Sequence, residues 1–410
     1  MTKNRFYGWI NVGLSALIML LTLGLGNASL SQFLPLIAKD LSVNMSQVTL
    51  LVSFSSISIA IFGALIGHAI KKFGHKNLVY IGVFLYSLSI LILSFSNSLP
   101  LIYLAGVAMG AGISYGTSLT LSTIISAWFI EKRGLALGLV FAASGVGGFI
   151  FNPIVARFIL SIGYRKTLFI EAITIFIVCI VGAFFIAANP KDKGQKPLGE
   201  IDVINENECV GESLNKTDIY RSLPFILLVF SCISFAMAIQ PTMYNFFPHY
   251  LSLGYDQIFI ANLISIVSLV NIAAKLIMGY VNDKFGLIKA ISIGFIGYFV
   301  CDLVIIVSDS KTSAYLAVIA YGFALTMLVV ALPLIVPKVF GMKHYASILG
   351  ILTAFLTIGS SIGTPLSSLI FDKTGEFRIS FIIQAILIVV SYLLFLRAVT
   401  YKSNLNKKGK

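Results

Sequence analysis

Residues 258–281 read IFIANLISIVSLVNIAAKLIMGYV, a run that is apolar almost throughout. It is long enough to cross the ~30 Å hydrocarbon core of a bilayer as one helix, since a helix rises ~1.5 Å per residue. Lys275 lies seven residues before Asn282, where the polar loop begins, which places the lysine ~10 Å inside the core. A cation at that depth costs at least about 3 kcal/mol, so we expect it to face a wet cavity, a partner or an anionic ligand. The alternative is a lysine whose long stem lets the ammonium reach the cytoplasmic rim.

The composition of the whole chain is that of a membrane protein. Of its 410 residues, 58% are hydrophobic and 11% are charged, whereas a soluble protein carries about 25% charged residues. The four cysteines have no paired spacing and the four histidines are scattered, so no disulfide framework, metal site or nucleophile–base pair is predicted. The sequence also has no phosphate-binding glycine-lysine loop, which excludes ATP as the energy source. We expect neither an enzyme nor a cofactor.

Apolar runs of spanning length recur along the chain and predict an all-α membrane protein with twelve transmembrane helices. The first run has no small-residue cleavage site and is interpreted as a permanent helix. A stretch rich in proline, glycine and glutamate predicts a flexible cytoplasmic linker over residues 189–222, between bundles at 1–188 and 223–400 and before a cytoplasmic tail at 401–410. The predicted spans are 9–30, 47–68, 77–95, 101–128, 135–160, 168–188, 223–250, 258–281, 288–308, 314–336, 346–371 and 379–400.

The basic residues predict the orientation. With the N-terminus inside, the cytoplasmic segments hold twenty lysines and arginines and the opposite segments hold six. This bias predicts a cell-membrane protein with both termini in the cytoplasm. The net charge of +13 then reflects topology and contact with anionic lipids rather than a nucleic-acid partner. The expected partners are the lipid bilayer and a small-molecule substrate, and we expect a monomer.

The two halves of the sequence repeat at an offset of 212 residues. Matched glycines and prolines at one spacing are not explained by two generic apolar stretches. Parallel repeats of six helices are typical of transporters, with the substrate site between the halves near the midplane. The matches include Gly67 with Gly279, Lys72-Phe73-Gly74 with Lys284-Phe285-Gly286, Gly147 with Gly359, Pro153 with Pro365, and Gly163 with Gly375.

The repeated segments 67–74 (GHAIKKFG) and 279–286 (GYVNDKFG) resemble the loop signature of the major facilitator superfamily. The resemblance implies two pseudo-symmetric six-helix bundles and a cytoplasmic latch built on this signature. The second copy keeps the family's acid at Asp283, whereas the first has Lys71 in its place, a departure that affects the N-terminal latch. The gating and loop-signature residues so implied are Gly67, Gly74, Gly279, Asp283, Lys284 and Gly286.

A narrower resemblance involves residues 128–148, WFIEKRGLALGLVFAASGVGG, and the start Phe6-Tyr7-Gly8-Trp9. Both are similar to signatures of the monocarboxylate transporters and the oxalate:formate antiporters. Lys132 and Arg133 form a basic cytoplasmic turn and join the gating residues. The glycines after this turn permit close helix packing, and the aromatic start also fits an interfacial anchor.

Lys275 lies where the resemblance to these two families implies a buried arginine that binds the substrate carboxylate, four residues before the loop glycine. Lysine can pair an anion as a point charge without the bidentate fork of arginine. Asn271 stands where proton-coupled monocarboxylate carriers have an aspartate, which argues against a proton relay through this helix. Residues 351–359 have no charge where the oxalate carrier has a second cation, and a single cation suits a monocarboxylate.

Other polar residues in the predicted helices are candidates for the same site. Asn271 shares a helical face with Lys275 and either orients the ammonium or bonds a neighbouring helix. On the seventh helix, Pro241 can break the helix beside polar groups near the cavity. For Tyr115 and Asn152, packing or amide bonding is the favoured role. The candidate substrate-binding residues are Lys275, Asn271, Gln240, Tyr244, Asn245, Tyr115 and Asn152.

Asp302 is a second charge inside an apolar run, on the ninth predicted helix. In the superfamily that helix usually lies at the periphery, so the resemblance implies that Asp302 is not a substrate ligand. A contact with a neighbouring helix and a role in proton coupling are both open.

Together these features predict a secondary transporter that moves a small organic anion, a monocarboxylate, by alternating access. An empty carrier would leave Lys275 unpaired, which favours exchange for a counter-anion or gradient-driven co-transport, for example with a proton. One alternative is a major facilitator exporter of drugs or neutral solutes, which a mostly apolar, aromatic cavity would suit. Another is a non-transporting sensor, for which the 34-residue linker is too short to form a soluble domain.

Overall fold

The computed structural model describes residues 6–199, 216–340 and 345–408, and the chain divides into two units, Met1–Glu206 and Asn207–Lys410. The described residues are almost entirely helical. Eleven of their helices are long and apolar enough to cross a membrane. The remaining predicted span, at 314–336, is formed by two shorter helical segments that meet at Thr326.

The N-terminal unit contains the first six membrane helices. Within it, α3 packs against α4 and α6, α2 packs against α4, and α1 packs against α5. The apolar residues of each helix divide between the interior of the bundle and its outer surface, as expected for a helix with one face toward lipid. The helices are α1 (Gly8–Asp40), α2 (Met45–Ala64, continued by Ile66–Phe73), α3 (His75–Phe95), α4 (Leu99–Trp128), α5 (Arg133–Ile162) and α6 (Tyr164–Phe185).

The C-terminal unit contains the other six membrane helices. Here α7 packs against α11 and α12, while α10 packs against α8 and α9. Its core is rich in buried aromatic side chains from α7, α9, α10 and α12. The helices are α7 (Leu223–Ser252), α8 (Gln257–Phe285), α9 (Leu287–Val307), α10 (Lys311–Leu325 and Met327–Phe340), α11 (Tyr345–Thr374) and α12 (Arg378–Lys408).

The sequence repeat is confirmed by the backbone at matched positions. Gly74 and Gly286 have φ angles of +77° and +90° and end α2 and α8. A side chain is disfavoured at these angles, whereas glycine adopts them freely. Gly147 of α5 and Gly359 of α11 are matched in packing: a Cβ would lie 2.8 Å from the Cα of Gly24 in the first case and 3.0 Å from the Cβ of Ala236 in the second.

Three membrane helices are irregular near their middle. In α1, residues Leu20–Asn27 form a π-helix. The α4 helix is interrupted at Thr117, whose φ and ψ are −126° and −124°, and α10 is interrupted at Thr326. Both threonine hydroxyls donate to the carbonyl four residues earlier, at 2.5 Å to Ile113 and 3.4 Å to Gly322, a bond that bends helices.

Both ends of the predicted linker over 189–222 contain defined structure in the described residues. Residues 186–199, here called the strap, include a short 3₁₀ helix at Pro190–Lys193. Leu198 pairs with the backbone after α4, because its N–H donates to the Trp128 carbonyl at 2.9 Å and its carbonyl accepts from Ile130 at 3.0 Å. At the other end, Lys216–Arg221 is a helix whose Ile219 is buried in the C-terminal unit. The remaining part of the prediction, at 200–215, lies outside the described residues.

The strap is held by aromatic residues from two segments that are distant in sequence, 6–9 and 128–129. The ring centroids of Trp9 and Phe129 are 4.9 Å apart, which joins the start of α1 to the end of α4. Tyr7 donates its N–H to Gln195 Oε1 at 2.9 Å and its hydroxyl to the Phe185 carbonyl at 2.6 Å. The Trp128 indole donates to the Ala187 carbonyl at 2.8 Å. These residues therefore form a specific packing site for the strap rather than a simple interfacial anchor.

Candidate functional site

Lys275 lies on α8 and is partly buried. Among the residues whose side chains are described, none forms a hydrogen bond, ion pair or cation–π contact with its ammonium. The two ion pairs of the described residues are Arg165–Asp40 at 2.6 Å and Arg378–Asp309 at 2.8 Å, both between other residues. An intramembrane cation with no partner among the described side chains is a candidate site for an anion.

Asn271, one helical turn before Lys275, connects α8 to α10. Its Nδ2 donates to the Gly322 carbonyl at 3.2 Å and to Thr326 Oγ1 at 3.4 Å. The two helices approach closely here, because a Cβ on Gly322 would lie 2.6 Å from the Cβ of Val270. Asn271 thus forms an interhelical amide bond, and that bond fixes the rotation of the α8 face on which Lys275 lies.

The α7 candidates lie on a helix that is not broken. The prediction that Pro241 interrupts α7 is wrong, since the helix runs from Leu223 to Ser252 with Pro241 inside it. The carbonyls of Ala238 and Ile239, just before the proline, accept bonds of 2.6 Å from Tyr298 and 3.0 Å from Tyr321. These two bonds connect α7 to α9 and α10 beside the proline. Gln240 is partly buried and Tyr244 is buried.

Two amides predicted for the site are used in packing within their own units. Asn152 is fully buried, accepts from Gln32 Nε2 at 2.9 Å and donates to the Gly148 carbonyl at 2.6 Å. Asn245 is also buried, donates to Ser367 at 2.9 Å and accepts from Ser368 at 3.2 Å. Both ends of each amide therefore bind protein groups of the same unit.

Tyr115 is partly buried on α4, and its ring packs edge-on against Phe62 of α2 at 5.4 Å between centroids. It lies two residues before the interruption at Thr117. The interruptions at Thr117 and Thr326 were missed by the sequence reasoning. Their only signal is a threonine near a glycine in an apolar run, at Gly116-Thr117 and at Gly322 with Thr326. Interrupted membrane helices often form transport sites, since they free backbone groups to bind substrate.

The gating and loop-signature residues lie at helix ends and in turns. Lys132 has a left-handed φ of +61° and precedes Arg133, where α5 begins, and both are exposed. Lys284 Nζ donates to the Tyr280 hydroxyl at 3.1 Å. Gly67 lies in the helical segment Ile66–Phe73, and Gly279 and Asp283 lie in α8, with the side chain of Asp283 outside the described part. The backbone at Gly74 and Gly286 is that of helix-ending glycines, as given above.

In the described part of the chain, neither the apolar cavity described next nor the histidine, cysteine and acidic side chains form a second candidate site. An apolar cavity inside the C-terminal unit is lined by aromatic, aliphatic and sulfur-containing side chains, among them Cys232, Phe235 and Met327. It has no charged lining residue and would not bind an anion. No group of three or more histidine, cysteine, aspartate or glutamate side chains in the described residues could hold a metal ion.

Comparisons with known proteins agree with this architecture. A family model described as the Major Facilitator Superfamily matches residues 16–273 and 246–410. The chain is 25% identical over 330 residues to the uncharacterized MFS-type transporter YhjX of Escherichia coli (strain K12), covering 79% of each chain. It is 25% identical to monocarboxylate transporter 13 of Rattus norvegicus, covering 80% of this chain and 75% of the relative. For monocarboxylate transporter 2 of Homo sapiens the identity is 23%, with 85% and 77% covered.

Solved structures show the same fold. The nucleoside transporter NupG aligns with a TM-score of 0.76 at 13% identity, covering 95% of this chain and 98% of that one. A bacterial homolog of the human lysosomal transporter Spinster aligns with a TM-score of 0.67 at 14% identity, covering 99% and 98%. Identities this low bear on the fold alone.

Two repeated bundles of six membrane helices, with an intramembrane cation and no catalytic cluster in the described residues, define a multi-pass membrane transporter. The chain belongs to the major facilitator superfamily. The named relatives are transporters and not enzymes.

Proposed function

We propose that this protein is a secondary transporter that moves a small monocarboxylate across the cell membrane by alternating access, with Lys275 neutralising the carboxylate. The observation that carries the proposal is the partly buried Lys275 ammonium, which has no partner among the described side chains. A substrate carboxylate supplies the missing anion, and the bound site then has no net charge.

The charge balance favours one carboxylate. A second carboxylate would need a second cation, because an unpaired charge is costly inside a membrane bundle. On α11, the stretch 351–359 has none. Asn271 adds a structural role: its bond to Thr326 connects the α8 face that carries Lys275 to α10. Gln240, Tyr244 and Tyr115 are the further proposed substrate contacts.

The relatives support the substrate class in their names, since several are monocarboxylate transporters. An empty site leaves Lys275 unpaired, so movement of the empty carrier is less favourable than movement of the loaded one. Obligatory exchange with a second anion, or co-transport driven by a proton gradient, follows from that difference. We further propose that both termini are cytoplasmic, as the distribution of basic residues indicates, and that the transporter acts as a monomer.

Uptake by proteoliposomes tests the role of Lys275. Labelled formate, acetate, lactate, pyruvate and oxalate would be supplied to wild type, Lys275→Ala, Lys275→Arg and the control Lys289→Ala, an exposed lysine of the same unit. We expect Lys275→Ala to lower kcat/KM about 10- to 100-fold, the effect of a charge-assisted hydrogen bond. Arginine should retain part of the activity, and Lys289→Ala should match wild type.

Undiminished uptake by Lys275→Ala would contradict the proposed role of the lysine. Competition separates the substrate classes, because only small carboxylates should inhibit uptake if the site binds an anion. Inhibition by neutral solutes alone would instead support the exporter alternative.

A further inference from the structure

Asp302 is an acid that the proposed transport site does not use. It lies on α9 and has no exposed surface, and neither carboxyl oxygen has a hydrogen-bond partner in the described part of the chain. Neighbouring residues Val300 and Leu303 are 39% and 40% exposed, so the outer face of α9 is available to lipid while Asp302 points inward. The side chain therefore faces neighbouring helices of the same unit, a contact that the sequence left open.

The groups that face Asp302 are weakly polar and uncharged at neutral pH. Tyr298 and Cys301 lie on α9 itself, and Tyr321 reaches it from α10; all three are close enough to interact electrostatically with the carboxyl. Tyr250 of α7 approaches Cys301 in turn. Two further helices, α8 and α12, also pack against α9. Neither presents a charged group to Asp302 in the described residues.

The nearby hydroxyls do not stabilise an anion at Asp302. Tyr298 donates its proton to the Ala238 carbonyl at 2.6 Å, and Tyr321 donates to the Ile239 carbonyl at 3.0 Å. An unpaired carboxylate in such an interior costs several kcal/mol. In this conformation the carboxyl therefore needs a proton, and it can release that proton only when its surroundings change.

Tyr321 connects this acid to the candidate substrate site. Its hydroxyl binds the carbonyl just before Gln240, and it interacts electrostatically with both Asp302 and Tyr244. A change of charge at Asp302 would thus act on the α7 segment that carries Gln240 and Tyr244. The Asn271 position on α8 is neutral, so a proton site on α9 would supply what α8 lacks.

We propose that Asp302 is a proton-binding site that couples movement of the substrate to the proton gradient, a role that rests on the proposed transport function. One proton converts the carboxylate to the neutral acid on one side of the membrane, and the same proton is released on the other side after the conformational change. The carboxylate and the acid thus belong to different conformations of the C-terminal unit.

The matched control is Glu171 of α6, the other fully buried acid of the described membrane helices. It differs from Asp302 at one oxygen: the Ser29 hydroxyl lies 3.4 Å from its Oε1, while its Oε2 also has no partner in the described residues. Proteoliposomes with wild type, Asp302→Asn and Glu171→Gln would be compared in two assays with the carboxylate that the panel above selects. One assay measures accumulation driven by a pH gradient, and the other measures exchange against the same internal carboxylate without a gradient.

For one pH unit and one proton per anion, wild type should accumulate the carboxylate about tenfold. We expect Asp302→Asn to exchange at the wild-type rate but to lose accumulation entirely, and Glu171→Gln to retain both activities. Wild-type accumulation by Asp302→Asn, or its loss in Glu171→Gln alone, would overturn the proposal. Lys275→Ala should lose activity in both assays. A defect in the substrate site is thereby distinguished from a defect in proton coupling, which affects accumulation alone.

A second measurement requires no substrate. Infrared difference spectra of the purified protein across a pH titration report the carbonyl stretch of a protonated carboxylic acid. We expect such a band in wild type and in Glu171→Gln, with its intensity reduced in Asp302→Asn. A band unchanged by Asp302→Asn would overturn the proposal even if transport were not detected in any assay. Elution on size-exclusion chromatography checks that the Asp302→Asn variant is folded.

Discussion

Asn271 decides how Lys275 is presented. Its Nδ2 bonds to the Gly322 carbonyl and to Thr326, which leaves the lysine one turn along the same face of α8. A neutral amide can hold this position without competing for the ammonium, whereas a carboxylate would pair with it. Asparagine at this position therefore leaves the ammonium without an acidic neighbour one turn away.

Asn271→Asp should convert this residue into a competitor. At neutral pH the new carboxylate would pair with Lys275, and we expect the apparent KM for the transported carboxylate to rise about tenfold. Acidification should reverse the effect, because protonation of the new acid removes the competing charge. Initial uptake rates measured over a range of pH check the prediction. Asn271→Leu is the control, since it loses the α10 bond without adding a charge, and equal pH profiles for both variants would contradict the prediction.

At the residue scale, the sequence identifies unusual charged residues more reliably than it identifies the roles of buried amides. Lys275 and Asp302 stand out because a charge in an apolar run is rare and costly. Asn152 and Asn245 look equally polar in the sequence, yet their partners Gln32 and Ser367 are 120 and 122 residues away along the chain. Whether an amide faces a substrate or another helix depends on those distant partners, which no local pattern reveals.

At the scale of elements, the π-helix of α1 lies against a glycine of α5. The Cα of Gly24, inside the π-helical segment Leu20–Asn27, would lie 2.8 Å from a Cβ on Gly147. A wider helical turn needs room on one side, and the missing side chain of Gly147 provides it. π-Helical turns are frequently found at functional sites, and this contact links the irregular part of α1 to α5.

Gly147→Ala should destabilise the N-terminal unit. The added methyl has no room against the α1 backbone, and overpacking of this kind costs about 1–3 kcal/mol. Gly138→Ala on the same helix is the matched control, because nothing lies within 4 Å of a Cβ at Gly138. Thermal unfolding followed by intrinsic fluorescence should show a lower Tm for Gly147→Ala only. Equal Tm values for the two variants would show that α1 and α5 can separate at no cost.

The strap offers a test at the same scale. Tyr7 contributes two hydrogen bonds, and Lys193 Nζ lies 4.7 Å from the centre of its ring. Tyr7→Ala should lower the free energy of local opening by about 1–2 kcal/mol and raise trypsin cleavage after Lys193 about tenfold. Tyr315→Ala, an exposed tyrosine of α10, should leave cleavage unchanged. A cleavage rate insensitive to Tyr7→Ala would mean that the strap is held by other contacts.

Most helices could be predicted because membrane spans need only length and low polarity. Their irregularities could not be predicted, since hydropathy does not report how hydrogen bonds are arranged inside a helix. The α10 span at 314–336 looks uniform in the sequence but is divided at Thr326. Conversely, Pro241 suggests a break in α7, but the helix continues from Leu223 to Ser252. Residues 189–199 of the strap are predicted as linker because their composition is polar. Composition does not report their backbone pairing with Trp128 and Ile130.

For the whole molecule, the repeat gives both units one scaffold, but their buried chemistry differs. In the N-terminal unit, Glu171 has the Ser29 hydroxyl as a donor. In the C-terminal unit, Asp302 has none in the described part, and a network joins Thr242, Tyr298 and Gln384 at 2.7 to 2.9 Å. Lys275 and Asp302 both belong to this second unit. The proposed carboxylate-binding lysine and proton-binding acid are therefore both C-terminal, whereas the helix packing is common to the two halves.

The strap also determines where the gene could be divided into two. Because 186–199 pairs with the backbone after α4 and packs on the start of α1, it belongs to the folding unit of the N-terminal half. Co-expression of fragments 1–206 and 207–410 keeps this segment with its partners, so we expect the fragments to co-purify and to transport. Fragments 1–188 and 189–410 place most of the strap on the other polypeptide, and should yield less of the N-terminal fragment. Equal yields and uptake from both pairs would contradict this expectation.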